Sequence, residues 1–161
     1  MQFDNFVEKK IFHLIEVLIN EGFRHKNLIG VNLFSSIKTK FFYGMSYNLI
    51  SIITDNNENI INITIHFNSI INRNFYNQFI VDYGLPNSII VLDNFKFLND
   101  LKKVNEKKIF NSSKVILDTK EGNFDDNPLF IIWKNANVNI KTLTKFEKDL
   151  TELTFKKTDC K

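Results

Sequence analysis

Cysteine, proline, glycine and arginine are all scarce in this chain, and each shortage excludes a class of structure or chemistry. The one cysteine, Cys160, has no partner for an internal disulfide, and its place next to the last residue makes it a poor candidate for a catalytic thiolate. The two prolines and five isolated glycines form neither a linker between domains nor a glycine-rich phosphate loop. No apolar run approaches the roughly 18 residues that a membrane-spanning helix needs.

Positive charge is mild and comes almost entirely from lysine. The chain has 21 Lys and Arg against 18 Asp and Glu, which gives a net charge of +3, and only Arg24 and Arg73 are arginines. Readers of nucleic acid usually concentrate Arg and Lys on one face, so this composition does not require a polyanionic partner. The first residues carry no basic segment followed by an apolar run, as a secretory signal would. We therefore expect a cytoplasmic protein without a membrane partner.

Phenylalanine, isoleucine, asparagine and lysine are abundant, with 17 Phe among 161 residues. These residues have AT-rich codons, so the bias indicates an AT-rich bacterial or phage genome more than it indicates a chemistry. The length fits one domain, which can bury roughly 70% of its unfolded surface. We expect a single domain over residues 1–157 and a frayed tail over residues 158–161.

The clearest pattern is a β-hairpin over residues 46–67. Two β-branched runs flank the turn-forming segment Asp-Asn-Asn-Glu-Asn. In the second run the period is two, which predicts a half-buried strand. The face predicted to be in the core holds Ile61, Ile63, Ile65 and Phe67, and the opposite face holds Asn62, Thr64 and His66.

Helices and further strands are predicted around this hairpin. Asn5 and Glu8 have the spacing of a capping box, and an apolar stripe follows them up to Gly22. Asn32 is positioned to cap a short second helix. The predicted helices cover residues 5–22, 32–38, 68–83 and 95–107. The predicted strands cover residues 87–92, 115–117, 129–134, 138–143 and 150–156, and residues 119–128 form a loop.

These elements predict an α+β fold with one domain. An antiparallel sheet, made of the hairpin and a C-terminal meander of three strands, packs one face against two or three helices.

Two groups of residues are candidates for contact with a partner. In the loop over residues 119–128, an exposed Phe124 between Glu121, Asp125 and Asp126 has the pattern of an aromatic anchor in a polar frame. The acidic residues lack the spacing of a calcium-binding EF-hand loop. On the hairpin, the polar face of Asn62, Thr64 and His66 is the second candidate.

No catalytic, cofactor-binding or metal-binding residue is predicted. His13, His25 and His66 are far apart in sequence, and none has the spacing of a zinc ligand set. The densest basic patch consists of Lys102, Lys103, Lys107 and Lys108. Its interleaved phenylalanines suggest base stacking, although a solvated helix face explains the same pattern.

Three short segments resemble those of small bacterial α+β proteins. They are Leu28-Ile29-Gly30 before a short helix, the helix end Tyr83-Gly84-Leu85-Pro86, and Trp133 in a strand before an asparagine-rich turn and two further strands. Helix ends of this form and a strand bearing Trp are similar to those of immunity proteins that neutralise toxins, and also to helix-plus-sheet modules of the β-lactamase-inhibitor type. The resemblance implies architecture, and no binding residue is carried over from it.

The first hypothesis for function is a non-enzymatic protein-binding domain, namely an immunity protein that neutralises a cognate toxin by direct binding. The first alternative is an accessory protein that binds nucleic acid through the Lys102–Lys108 face. The second is an enzyme whose active residues are distant in sequence. No cofactor is expected, and the sequence leaves the oligomeric state open.

Overall fold

The computed structural model describes residues 1–93 and 118–158 of the chain. These residues form two α-helices, nine strands and three short 3₁₀ helices. In chain order they are a 3₁₀ helix (Phe3–Phe6), α1 (Ile11–Asn20), β1 (Arg24–Leu28), β2 (Val31–Phe42), β3 (Met45–Thr54), β4 (Ile60–Phe67), α2 (Arg73–Tyr83), β5 (Ser88–Leu92), β6 (Thr119–Glu121), a 3₁₀ helix (Phe124–Asp126), β7 (Pro128–Lys134), β8 (Val138–Lys145), a 3₁₀ helix (Phe146–Lys148) and β9 (Leu150–Lys157).

All nine strands belong to one antiparallel sheet, with the order β1-β2-β3-β4-β9-β8-β7-β5-β6. Pairing of β4 with β9 joins the hairpin β3–β4 to the meander β7–β8–β9 over six residue pairs. The predicted hairpin and the predicted three-strand meander are matched only roughly, since both are parts of one larger sheet of nine strands. The α+β class is confirmed.

Both helices pack on one face of the sheet, and the main hydrophobic core lies between the helices and that face. The register places one inward residue from each central strand in a transverse row, and these residues are buried. The row runs from β2 to β8: Phe34, Ile50, Ile65, Leu153 and Thr142. Successive side chains of a strand point to opposite faces. The residues just before and just after each of these five along its strand therefore point away from the helices.

The first helix is shorter than predicted. Residues 5–8 do not open it, because Phe3–Phe6 is a 3₁₀ helix and α1 begins only at Ile11. Glu8 has a φ of 70°, which ends any helical path there. Its N–H donates to the carbonyl of Ile60 (2.7 Å), and the N–H of Ile11 donates to Glu58 (3.0 Å). Backbone hydrogen bonds to the hairpin therefore override the predicted capping box.

The predicted short helix over residues 32–38 is wrong, since this segment is part of the 12-residue strand β2. Strand β2 pairs with β1 on one side and with β3 on the other. Gly30, with a φ of 78°, makes the tight turn between β1 and β2. The side chain of Asn32 caps no helix. It accepts a hydrogen bond from His25 Nε2 on β1 (2.9 Å).

Other predicted elements are present with ends shifted by up to five residues. Helix α2 begins at Arg73, where the side chain of Asn72 accepts a hydrogen bond from the N–H of Phe75, and it ends before Gly84. Strand β5 matches the strand predicted over residues 87–92. The predicted loop over residues 119–128 contains the edge strand β6 and a 3₁₀ helix. The helix predicted over residues 95–107, the strand over 115–117 and Cys160 lie outside the described residues.

Candidate functional site

The face of the sheet that points away from α1 and α2 holds the polar side chains of its central strands, and we call it the open face. On β4 the prediction is confirmed for Ile63, Ile65 and Phe67, which are buried in the core. Ile61 was also predicted to be buried, but it is only half-buried. The register shifts between Ile53 and Thr54, so that Thr54 pairs with Ile60 and Ile60 takes the core position. Asn62, Thr64 and His66 lie on the open face as expected.

A chain of hydrogen bonds crosses the open face at His66. The hydroxyl of Ser51 on β3 lies 2.9 Å from His66 Nε2, and Glu152 Oε1 on β9 lies 3.1 Å from His66 Nδ1. The ammonium of Lys145 on β8 lies 2.5 Å from the same carboxylate oxygen. Four neighbouring strands therefore contribute one side chain each to a continuous polar chain.

The direction of each hydrogen bond in this chain follows from the chemistry of the groups. An ionised carboxylate can only accept, so His66 Nδ1 carries the proton that is donated to Glu152. In the neutral imidazole Nε2 is then an acceptor, and the Ser51 hydroxyl donates to it. Burial lowers the pKa of His66 below its usual value of 6.5; the nearby Lys145 lowers it further, and Glu152 opposes the shift. His66 is therefore neutral at pH 7.

The other two predicted residues of β4 form a second polar cluster with β9. Thr64 Oγ1 donates to the side-chain oxygen of Asn62 (3.1 Å). Because a hydroxyl has only one proton, the 3.0 Å contact between Thr64 and Thr154 is a hydrogen bond donated by Thr154. This arrangement uses the hydroxyl protons within the sheet and leaves the side chains as a flat polar surface.

A groove lies next to these residues on strands β7, β8 and β9, and its volume is about 390 Å³. Ile132 and Leu143 are apolar parts of its lining, and Lys134, Lys141 and Lys156 supply positive charge. The described residues that line it are Ile132, Lys134, Asn139, Ile140, Lys141, Leu143, Glu152, Thr154 and Lys156. The ammonium of Lys141 lies 3.7 Å from the centre of the Phe130 ring, which holds its stem along the open face. We call this feature the lysine groove.

The second predicted group lies elsewhere, near α2 and the opposite end of the sheet. The expectation that Phe124 is an exposed anchor is wrong, because its half-buried ring stacks on Tyr76 at 4.5 Å. The Arg73 guanidinium lies 4.5 Å from the same ring and donates to Asp125. Asp126 accepts from the N–H of Asn123 (2.8 Å) in a capping box. These contacts attach the loop to helix α2.

Glu121 is separated from the predicted residues of β4 by the width of several strands. It lies on β6, and four strands stand between β6 and β4 in the sheet. At about 4.8 Å per strand step, the two groups are roughly 24 Å apart. The structure therefore does not bring the two predicted groups into one site. A role in partner binding stays a prediction for both.

Ser51, Lys145 and Glu152 were not singled out from the sequence. Their contact with His66 depends on the register of β3, β4, β8 and β9, and residues 51 and 152 are a hundred positions apart. No short sequence motif predicts such an arrangement. The one available signal was the polar face of β4, which predicts where the partners must lie but not which residues they are.

The described part of the chain contains neither a cluster of metal ligands nor a helix that could span a membrane. Across residues 1–93 and 118–158, no three side chains among His, Cys, Asp and Glu come together as a metal site would require. No helix within those ranges has the length and apolar character needed to cross a membrane.

Comparison with other proteins does not assign this chain to a family. No protein-family model matches it, and neither a curated protein nor a solved structure is significantly similar to it. The likeness to immunity proteins therefore stays a prediction, and a functional proposal depends on the geometry of the open face.

Proposed function

We propose that this chain is a protein-binding domain that docks an acidic segment of a partner protein in the lysine groove. The observation that carries this proposal is the lining of the groove, which combines lysine side chains with apolar side chains. Binding sites on proteins combine an apolar part, which supplies affinity, with a few charged groups, which supply orientation and specificity.

The charge of the groove favours an acidic occupant. Lys134, Lys141 and Lys156 line it, and Glu152 is the one acidic residue among the described residues of its lining. That carboxylate already accepts from Lys145 and His66, so it is compensated inside the sheet. The groove therefore presents a net positive potential, which attracts acidic side chains and accelerates association at low salt.

The apolar side chains in the groove indicate a second property of the bound segment. Ile132 and Leu143 are half-buried, and both lie next to Lys141, which pairs with Ile132 and is two residues from Leu143 on β8. An extended peptide that carries acidic and apolar residues two positions apart presents both on one face, so the acidic side chains can lie against the ammonium groups and the apolar ones against this floor. We therefore propose a partner segment with both kinds of side chain.

A nucleic-acid partner is the weaker candidate for this surface. The groove contains no arginine, which would supply bidentate contacts to bases and phosphates. Arg73 is engaged by Asp125 near α2, and Arg24 is on the edge strand β1. The predicted Lys102–Lys108 face lies outside the described residues, so that alternative stays a prediction.

The finer proposal is that the partner is a toxin and the chain is its immunity protein, acting in the cytoplasm. The support comes from the sequence resemblance and from a confirmed α+β fold with a polar sheet face. An acidic segment on the toxin fits a lysine-lined groove better than the familiar pairing of an acidic inhibitor with a basic nuclease.

The binding proposal is tested with a fluorescent peptide in which glutamate and leucine are two positions apart, so that both lie on the same face of the extended chain. The double variant Lys134→Glu/Lys141→Glu is expected to weaken binding by at least about tenfold at low salt, because it reverses two charges in the groove. The matched control is Lys9→Glu/Lys38→Glu, which changes the net charge equally at exposed positions outside the groove. Equal weakening by both pairs would mean non-specific attraction and would contradict the proposal.

The immunity proposal is tested by co-expression with the product of the neighbouring gene. Rescue of growth and a purified complex are expected, and both should be lost in the groove variant while the control variant keeps them. A chain that neither rescues growth nor forms a complex would refute this finer proposal. Binding to DNA or RNA that weakens steeply with salt would replace it with the nucleic-acid alternative.

A further inference from the structure

The hydrogen-bond chain at Ser51, His66 and Glu152 has a chemical capacity that binding in the lysine groove does not use. A serine hydroxyl donates to a neutral imidazole, and the other nitrogen of that imidazole donates to a carboxylate. Both contacts are within hydrogen-bond distance, at 2.9 and 3.1 Å. Serine hydrolases use this order of groups to activate a serine, and the arrangement is recognised by its geometry and not by its order in the sequence.

We propose that Ser51 is an activated nucleophile that accepts an acyl group from small activated esters, with His66 as its general base and Glu152 as the positioning residue. This inference goes beyond the proposed binding function and does not depend on it, because the lysine groove does not include Ser51 or His66.

The surroundings of Ser51 select a small uncharged acyl group. Leu33 on β2 pairs with Ser51, and Leu49 on β3 pairs with His66, so both leucines flank the polar chain on the open face. Both are half-buried, which leaves apolar surface beside the hydroxyl. A short aliphatic acyl chain can lie against them, and the open side of the sheet leaves room for the leaving group.

The reaction balances without a further oxidant, reductant or metal. Ser51 Oγ attacks the carbonyl carbon of the ester while its proton moves to His66 Nε2, and the Glu152 carboxylate stabilises the resulting imidazolium through Nδ1–H. The tetrahedral intermediate collapses by breaking the bond to the leaving alcohol, whose oxygen takes the proton from Nε2. Water, deprotonated by His66 in the same way, then releases the acid and restores Ser51.

The expected rate is limited because the described residues supply no free backbone N–H group to form an oxyanion hole beside Ser51. Strand β3 lies between β2 and β4, so the backbone N–H groups around Ser51 are used by the two ladders. Removal of one oxyanion donor alone costs a hydrolase roughly 10²–10³ in rate. Acylation by activated electrophiles is therefore expected, followed by slow deacylation, and unactivated amides should not react.

The test uses the full chain and a fluorophosphonate probe, whose fluoride is displaced by an activated serine. We expect the probe to label Ser51, identified by mass spectrometry of the wild-type protein, and p-nitrophenyl acetate to give a burst of p-nitrophenol. Ser51→Ala should abolish both signals. The matched control is Ser35→Ala, which removes an exposed serine of the same face on β2.

The pH profile separates a general base from a merely structural histidine. Wild-type labelling should rise with pH and reach a plateau once His66 is neutral. His66→Gln should slow it by roughly 10²-fold at pH 7 and replace the plateau with a continuous rise with hydroxide concentration. Glu152→Gln should slow labelling less than His66→Gln does. Trp133 fluorescence is the control that shows that the fold of each variant is intact.

Three results would overturn the proposal. One is labelling of wild-type Ser51 no faster than that of the urea-denatured chain, a measurement that needs no variant. The others are equal labelling of Ser35 and Ser51, and a rate in folded His66→Gln equal to that of the wild type.

Discussion

Replacement of Phe79 by alanine should destabilise this protein more than almost any other single truncation, because Phe79 joins helix α2 to the sheet. Its side chain is 0% exposed. It stacks on Phe75 and Tyr83 with ring centres 5.1 and 4.3 Å away, and it makes edge contacts with Trp133 and Tyr43 at 4.8 and 5.3 Å.

The magnitude follows from the burial and from the stiffness of the surroundings. Truncation of a buried phenylalanine to alanine costs about 3–5 kcal/mol, since the lost transfer free energy adds to that of the cavity. The site is at the upper end of that range because four rings fix its walls. For a chain of this length, a loss of roughly 4 kcal/mol lowers Tm by about 8–16 °C.

The free energy of unfolding is measured by urea denaturation, followed both by circular dichroism and by the fluorescence of Trp133, the only tryptophan. The control is Val81→Ala on the same helix, where the side chain is 82% exposed and the expected change is within about 0.5 kcal/mol. A loss below about 1.5 kcal/mol for Phe79→Ala, at an unchanged urea slope, would refute the view that α2 is held by this aromatic cluster.

Two further predictions concern a helix end and a titrating group. Asn72→Ala removes the side-chain acceptor of the first turn of α2 and should lower the free energy of unfolding, measured with urea, by about 1 kcal/mol. The control Asn77→Ala, in the exposed middle of the helix, should be neutral or slightly stabilising. Equal effects of the two substitutions would exclude a stabilising cap at Asn72. Because burial lowers the pKa of His66 in the folded state, the unfolded chain binds more protons once the pH falls below about 6.5. The stability contributed by neutral His66 is therefore present above that pH and is lost as the pH falls, with a slope of at most about 1.4 kcal/mol per pH unit, and His66→Gln should flatten the urea midpoint between about pH 5 and 7. An unchanged slope in that variant would contradict the assignment.

The hairpin and the meander were predictable because their signals are local. Strand β4 alternates with a period of two, and the turn before it contains Asp55, whose carboxylate accepts from the N–H groups of Asn57 and Asn59 at 2.9 Å. The turn residues of such a loop supply their own hydrogen bonds, so their identity predicts the turn without knowledge of the rest of the fold.

Strand β2 was not predictable from its apolar pattern. Leu33 and Ile37 are four residues apart and fit the face of a helix, yet Ile37 is 82% exposed and the buried apolar residues of β2 are Phe34 and Phe42. The pairing of β2 with β3 shifts between Ser35 and Lys40, and this irregularity breaks the alternation that would have indicated a strand. This segment is a strand because it pairs with β1 and β3, and the propensities of its own residues do not predict that pairing.

The candidate site, like the fold, was predictable from the sequence only in part. The polar face of β4 was predictable from alternation, whereas its partners were not, because a shift of one residue in the pairing of β4 with β9 would turn Glu152 away from His66. The interpretation of Phe124 failed for a related reason. Its position between acidic residues indicates exposure, but Tyr76 and Arg73 come from a distant helix to cover it.

Glu152 connects the two proposals for the open face, and its contacts explain why each can be tested without the other. It lines the lysine groove and also accepts from His66, while Lys145 compensates its charge at 2.5 Å. Reversal of the charge at Lys141 changes the potential of the groove but leaves the hydrogen bond between Ser51 and His66 in place, since Lys141 is on β8 and that bond joins β3 to β4. Lys141→Glu should therefore weaken binding of the acidic peptide and leave fluorophosphonate labelling of Ser51 within about twofold of the wild type. Ser51→Ala should abolish that labelling and leave binding of the acidic peptide within about twofold of the wild type. A loss of both properties in either variant would mean that the open face acts as one site.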